Sequence, residues 1–345
     1  MEENNQSHFF SLSLNDLRQN LSPSFRANQV FDWIYKKKRL SFDEMPNLPK
    51  DVRSYLKENF TFPSLTLHET LPSKDQETIK FLFKLKDGFF IESVLILSKE
   101  RRTVCVSSQV GCRCSCHFCA SGKKGFVRNL TSSEIIEQVL HIDNYLAKKN
   151  EKTTHVVFMG MGEPFHNYEA VICAIRRFND PDCFNISQRR ITISTVGIID
   201  KIKKLESENL KINLTLSLHA SDQKTREKII PYAKKYPINN LIKSMDSYFE
   251  KTKRDITYEY ILIDNVNDSL QDAKRLVSFF KGKQCSLNLI PYNLVLGCQF
   301  KRPSTEKIEA FHQYLQAKKI PTTRRYTKGK DIAAACGQLA LLESK

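Results

Sequence analysis

The sequence has no apolar run approaching the roughly 20 residues that a helix needs to cross a bilayer, so a helical membrane span is not expected. Its start, from Met1 to Phe10, lacks the basic-then-apolar pattern of a secretory signal. A cytoplasmic location is the resulting expectation. Internal repeats and low-complexity segments are missing too, which removes solenoid and fibrous architectures. Acidic residues are short against basic ones: 38 Asp and Glu face 54 Lys and Arg, a formal net charge of +16. A positive field of that size favours a polyanionic partner, nucleic acid first. The bland alternative is a solvated basic surface.

What is present describes an ordinary enzyme-sized chain. Its 345 residues are 41% hydrophobic, enough for one large domain or a domain with an appendage. Ten cysteines stand in it, five of them between Cys105 and Cys119. A disulfide framework is not expected in a large cytosolic chain, and thiols packed this closely in a reducing compartment point to metal.

Residues 1 to about 80 read as a small helical module punctuated by Pro46, Pro49, Pro63 and Pro72, with a basic run at Lys36–Arg39. From about Phe81 short apolar runs alternate with amphipathic stretches. Ile91–Leu97 is strand-like, and Ser132–Lys148 is helical behind a capping box of Thr131 and Glu134. The alternation continues through Val156–Gly160, Tyr168–Phe178, Arg190–Ser194, residues 198–208 and Leu214–Leu218. It ends with Ile256–Asp264, residues 270–281, Ser286–Pro291 and Ser304–Lys319. About six such repeats imply βαβ units and a parallel sheet, either doubly wound or an incomplete barrel. Polar residues recur at the strand ends: Gly162-Glu163, Ser194-Thr195, Ser217-Leu218-His219 and Tyr292-Asn293. Parallel barrels build their sites on that rim.

The segment from Gly111 to Cys119 carries the chemistry. Cys112, Cys116 and Cys119 make a C-x-x-x-C-x-x-C pattern. Three thiolates in one loop hold three irons of a [4Fe–4S] cube and leave the fourth iron open. The competing reading is a zinc site. Structural zinc wants four ligands in two separated pairs, and no second pair follows, although Cys114 offers a fourth thiol within the same loop. Cys114 reads as a non-ligand.

Cys105–Cys112, the cluster loop, Gly125–Thr131, Met159–Pro164, Ser194-Thr195, Ser217–Ala220, Asn288–Asn293 and Asp331–Leu339 together resemble the RlmN family, in order and over nearly the whole chain. These are radical S-adenosylmethionine (SAM) methyltransferases acting on carbon 2 of adenosine in large-subunit ribosomal RNA and tRNA. The resemblance implies a partial (β/α)6 TIM-like barrel over residues 98–331, an N-terminal helical RNA-binding domain over 1–80, and a C-terminal segment, 332–345, carrying a methyl-carrier cysteine. It implies a [4Fe–4S] cluster on Cys112, Cys116 and Cys119, and SAM held by Gly162, Glu163, Ser194, Ser217, Leu218, His219 and Asn293. In particular, the Glu163 carboxylate would pair with the SAM ammonium. Two molecules of SAM serve each turnover. Cys336 takes a methyl group from the first. The second yields a radical that activates this methyl for addition to the adenine. Cys105 closes a transient disulfide with Cys336 to release the product, and Glu92 is the proton acceptor. An electron donor such as flavodoxin and a monomeric state are further expectations. The related Cfr family methylates carbon 8 instead, and a zinc-stapled RNA-binding module remains the non-enzymatic alternative. Pro164 and Ala220 and the Lys328-Gly329 pair favour RlmN, whereas Leu294 and Cys114 depart from the usual pattern. Lys123, Lys124, Arg128, Arg176, Arg177, Arg189, Arg190, Arg324, Arg325, Lys328 and Lys330 are candidate phosphate contacts.

Overall fold

The computed structural model describes residues 7–325 and 328–339. Seven parallel strands form its centre: Arg102–Cys105, His155–Phe158, Ile191–Thr195, Asn213–Ser217, Ile256–Leu262, Ser286–Pro291 and Thr322–Arg324. Each neighbours the next in strict chain order. A doubly wound sheet reverses direction at a switch point. This one never does, so it winds as an open barrel of six strand–helix units and a final strand.

The local signals explain the elements. Thr131 and Glu134 cap the helix Ser132–Ala147 reciprocally, the Thr131 hydroxyl accepting the Glu134 N–H at 3.1 Å and the Glu134 carboxylate accepting the Thr131 N–H at 2.8 Å. The same device, with Ser269 and Asp272, starts the helix Leu270–Phe280. Ile191, Ile193, Leu214 and Leu216 are fully buried and alternate with Thr192, Ser194, Thr215 and Ser217, which line the barrel's cavities, so the apolar face of these strands is the one turned away from the cavities.

The N-terminal expectation needs correction. The helices Leu14–Asn20, Phe25–Phe31 and Lys50–Asn59 do form a module around Phe9, Phe10, Phe42 and Phe62. It ends near residue 62, not 80. Leu65–Pro72 and Thr78–Leu85 are antiparallel strands, joined through Phe90–Leu97 to the first barrel strand. The period-2 pattern of Ile79, Phe81 and Phe83, all buried, is a strand signature that the proline punctuation obscured. The module is docked on the barrel. Tyr35 meets Phe184 edge-on at 5.3 Å, and Arg177 donates to the carbonyls of Phe10 and Leu12 at 3.1 and 2.6 Å.

The helix Ser132–Ala147 is the polar hub under this arrangement. Its Asp143 pairs with Lys38 at 2.8 Å, and its Gln138 bonds the Ser107 N–H and the Ser93 hydroxyl. Glu137, fully buried, accepts the N–H groups of Ser64 and Leu65. Burial raises its carboxyl pKa to about 8, against the pull of those donors. A carboxyl raised in the folded state contributes stability below its unfolded value, near 4.5, that is lost as pH climbs through about 8. Glu137→Gln removes that dependence. The melting temperature of the variant, relative to wild type, is expected to rise steadily from pH 5 to pH 8. Parallel curves would place the charge elsewhere.

Candidate active site

The cluster loop is held open by its backbone. Gly111 has φ +75°, and a Cβ there would lie 1.9 Å from the Gly125 carbonyl oxygen, so only glycine fits. The Cys112 N–H donates to that same oxygen at 2.8 Å, and the Cys119 N–H donates to the Cys116 carbonyl at 3.1 Å. His117 anchors the outer side, donating its N–H to the Ile229 carbonyl at 2.9 Å. Cys112, Cys114, Cys116 and Cys119 line a cavity of about 140 Å³ at the carboxyl ends of the strands. Gly162, Glu163, Ser194, Ser217, His219 and Cys336 line it too. The cavity thus gathers the cluster-loop thiols, most of the expected strand-end residues and Cys336, whereas Glu92, Cys105, Leu218 and Asn293 do not line it.

The thiols influence one another. Burial pushes Cys116 and Cys119 up, and their mutual repulsion and that of Cys112 add to it. Cys114 is buried in the same loop, and its thiol and that of Cys112 perturb each other, lowering the Cys112 pKa and raising that of Cys114. Among the described residues no three His, Cys, Asp or Glu side chains converge closely enough to hold one metal ion, so the zinc reading gains no geometric support. A multi-iron cube, touched by one thiolate per iron, fits thiols spread around a cavity. The charge of the surroundings fits as well. Arg226, 1% exposed beside Cys114 and Cys116, has no carboxylate partner among the described residues and needs an anionic neighbour.

Several expected SAM contacts are already engaged inside the protein. The Glu163 carboxylate accepts the Thr195 hydroxyl at 2.6 Å and the N–H groups of Val196 and Phe165 at 2.8 and 3.0 Å. It braces two strand ends, which corrects the expectation of a free carboxylate for an ammonium group; what remains to meet a ligand is the Gly162–Glu163 turn. Gly162, at φ +99°, lies so close to Gln109 that a Cβ would clash with its side chain at 2.6 Å. Ser194 and Ser217 face each other, hydroxyl to hydroxyl, at 3.1 Å. Leu218 is buried and contributes its backbone, donating to the Glu259 carbonyl and accepting from Arg226. His219 has φ +57°, and its Nδ1 accepts the Ile261 N–H at 3.1 Å. Burial lowers its pKa to about 3, so the ring is neutral and carries its proton on Nε2. Asn293 donates to the Cys336 carbonyl at 3.1 Å and does not line the cavity. Its place is under the Cys336 loop.

Cys336 and Cys105 are 231 positions apart in sequence, yet the fold gathers them around Arg325 and Glu259. Arg325 pairs with Glu259 at 2.8 Å and approaches the Met159 sulfur at 3.9 Å. Cys105, at the end of the first barrel strand, is driven by burial to a pKa of about 12 and stays a thiol at neutral pH. Cys336 is solvent-exposed but closely surrounded; desolvation raises its pKa and Arg325 opposes the rise. Its loop is tied to the cluster loop, the Ala120 N–H donating to the Gly337 carbonyl at 2.8 Å. Glu92 does not reach the cavity. It is buried and paired with Lys80 at 3.0 Å, and its carbonyl accepts the Ser107 hydroxyl two residues beyond Cys105. Sequence reasoning missed Arg226 and Glu259 altogether and took Arg325 for a phosphate contact. A buried arginine looks like a surface one until its carbonyl partners are known.

The basic residues divide. Arg189 and Arg190 line a second cavity, about 720 Å³, which includes Arg101 and His155 at the amino-terminal ends of the strands and reaches Met159 and Arg325 below the thiol cavity. Arg177 is buried, and Arg128 is held by Asp87 and Glu134. None of these four serves the rim as a phosphate contact. No helix among the described residues is long and apolar enough to cross a membrane.

Residues 106–277 match the Radical SAM superfamily, and residues 14–62 match the ribosomal RNA large subunit methyltransferase N-terminal domain. A chain from Protochlamydia amoebophila, named "Probable dual-specificity RNA methyltransferase RlmN 2", is 56% identical over 92% of this chain and 89% of its own length. The chain belongs to the RlmN family. The dual-specificity RNA methyltransferase RlmN of Aliarcobacter butzleri is 42% identical over 96% of this chain and 95% of its own. The crystal structure of a radical SAM methyltransferase from Sphaerobacter thermophilus superimposes with a TM-score of 0.93 at 41% identity, covering 96% of this chain and 99% of that one. The RlmN assignment from sequence stands.

Arg325 offers a direct test of the cysteine pair. Arg325→Met removes the charge that opposes the desolvation of Cys336. The pH profile for alkylation of Cys336 by iodoacetamide, followed by peptide mass mapping, is expected to move to higher pH. An unmoved profile would separate Arg325 from the thiol.

Proposed function

We propose that this protein methylates carbon 2 of an adenosine in large-subunit ribosomal RNA and in tRNA, in the cytoplasm. The observation that carries the reading is the meeting of two loops: the Cys336 loop sits at the same cavity as the three-thiol loop and is hydrogen-bonded to it through Ala120 and Gly337. Such a meeting is what a thiol must have if it is to carry a group worked on at a cluster.

Cys112, Cys116 and Cys119 are the residues to hold a [4Fe–4S] cluster, and the Gly162–Glu163 turn, Ser194, Ser217, Leu218 and His219 form the wall against which SAM binds. When bound, the pair supplies a methyl group and a carbon-centred radical. The chain's own residues do the rest. Cys336, with Arg325 beside it, is the thiolate that accepts the methyl. Asn293 fixes its loop through the Cys336 carbonyl. His219, neutral, offers an Nε2 donor to the cavity without adding charge. Cys105 waits as a buried thiol and must lose its proton; its thiolate then bonds to the Cys336 sulfur as the bond from that sulfur to the transferred carbon breaks, the electron pair leaving with the adenine product. The family resemblance assigns Glu92 as proton acceptor, but its carboxylate is buried against Lys80 away from the cavity, and only its backbone carbonyl meets Ser107, so the role draws no support from the geometry. A flavodoxin-like electron donor and a monomeric protein complete the proposal.

The relatives at 42–56% identity carry the RlmN name, and the Cfr alternative draws no support from them. Nucleoside mass analysis of RNA treated with anaerobically reconstituted protein is expected to show 2-methyladenosine. Cys336→Ala abolishes the product while iron content stays at the wild-type level; serine at Cys112, Cys116 and Cys119 removes iron and product together. Methylation by the Cys336→Ala protein would refute the carrier role, and 8-methyladenosine would refute the carbon assignment.

A further inference from the structure

Arg226 is the most deeply buried charge near the cavity. It starts from the helix Gln223–Ile229, which follows the strand Asn213–Ser217, and its side chain turns back beneath the rim. Its Nε donates to the Leu218 carbonyl at 3.1 Å, and its Nη2 donates to the carbonyls of Val196 and Ser217 at 2.6 and 3.2 Å. Those oxygens belong to two adjacent strand ends. The guanidinium therefore spaces the rim. Its Nη1 donates to none of the described residues, although the residue is only 1% exposed. The groups whose charges it meets are Cys116 and Cys114.

A buried cation satisfied only by carbonyls is costly. Taking one partner away from such a charge is more costly than never having buried it, so its occurrence here calls for a stabilising anion. Three thiolates on an iron–sulfur cube make an anionic assembly, and each electron added makes it more so. Cluster potentials respond to net charge, hydrogen bonds to the sulfurs and exposure.

We infer that Arg226 is the positioning residue that tunes the cluster: held beneath the rim by the carbonyls of Val196, Ser217 and Leu218, its fixed positive charge favours the reduced state. This rests on the cluster proposed above. The same guanidinium holds the Val196, Ser217 and Leu218 carbonyls, so the charge that eases reduction is locked to the strand ends against which SAM would bind. Arg226 touches no substrate in this role and takes no proton.

The test is an EPR-monitored redox titration of reconstituted protein with dithionite as reductant, with iron and sulfide measured on each sample. Arg226→Met that has loaded its iron is expected to show at least a tenfold lower ratio of reduced to oxidised cluster at a fixed potential, equivalent to a midpoint about 59 mV more negative. Arg226→Lys, which keeps the charge, stays within about threefold of wild type. An iron-loaded Arg226→Met with an unchanged midpoint overturns the inference, whether or not its affinity for SAM falls. Should the methionine variant fail to load, wild-type protein carrying 15N-arginine decides the matter. Pulsed EPR of its reduced cluster is expected to show a 15N coupling that survives Arg113→Lys, and absence of that coupling overturns the inference. Absence of iron from wild-type protein would end the proposed function itself, a separate outcome.

Discussion

Everything at the cavity depends on seven strands pointing the same way. Parallel strands in strict order place all their carboxyl ends on one rim, and residues far apart in the chain meet there without any local signal. Cys105 closes the first barrel strand, and Cys336 follows the last by a short segment. The rim alone does not fix a loop as precisely as chemistry at a thiol requires. Four hydrogen bonds do so for the Cys336 loop: Ala120 to Gly337, Ser121 to Leu339, Asn293 to Cys336 and Gln338 to Leu294. At a net value of about 1 kcal/mol each, these bonds together favour one conformation of the loop.

The polar groups of the rim serve the fold before they serve a ligand. Glu163 joins Thr195 and Val196, so the strand Ile191–Thr195 cannot shift relative to the Met161–Glu163 turn without stranding a buried carboxylate. His219 uses one nitrogen to hold the strand Ile256–Leu262 and presents the other, and Phe118 of the cluster loop packs edge-on against its ring at 5.0 Å. Arg226 ties two strand ends. These are different chemistries with one mechanical effect: the walls are fixed by bonds that leave a single face of each group for the cavity. The arrangement suits a site in which reactive species must be kept from water and from the wrong partners.

The legible part of the molecule was the part written locally. The capping box at Thr131, the alternation of strands and helices, and the three-thiol loop are all short-range patterns, and each stands where the sequence put it. Misreadings arose where a residue's role depends on a partner far along the chain. The strands Leu65–Pro72 and Thr78–Leu85 were hidden by the prolines around them, because their pairing with each other and with Phe90–Leu97 is a long-range fact. Glu163 looked like a ligand because nothing in the sequence announces that Thr195 and Val196 will consume it. Arg189 and Arg190 precede a strand and were read as rim residues, but a parallel strand has two ends, and they stand at the amino-terminal one. Residues 340–345 of the C-terminal segment lie outside the described residues.

Two arginines set the electrostatics of the interior, and they are placed differently for a reason. Arg325 has a carboxylate partner, Glu259, so its field at the cysteine pair is partly neutralised. That suits the role proposed for the thiols, which takes them between protonated, charged and alkylated forms: a strong fixed charge would trap one of them. Arg226 has no such partner among the described residues, and its charge lies beside the cluster loop, whose proposed occupant is anionic in both redox states. The chain separates thiols proposed to pass through a neutral form from a proposed cluster that is anionic in both of its redox states. It does so by pairing one arginine with a buried acid and the other with nothing but peptide carbonyls.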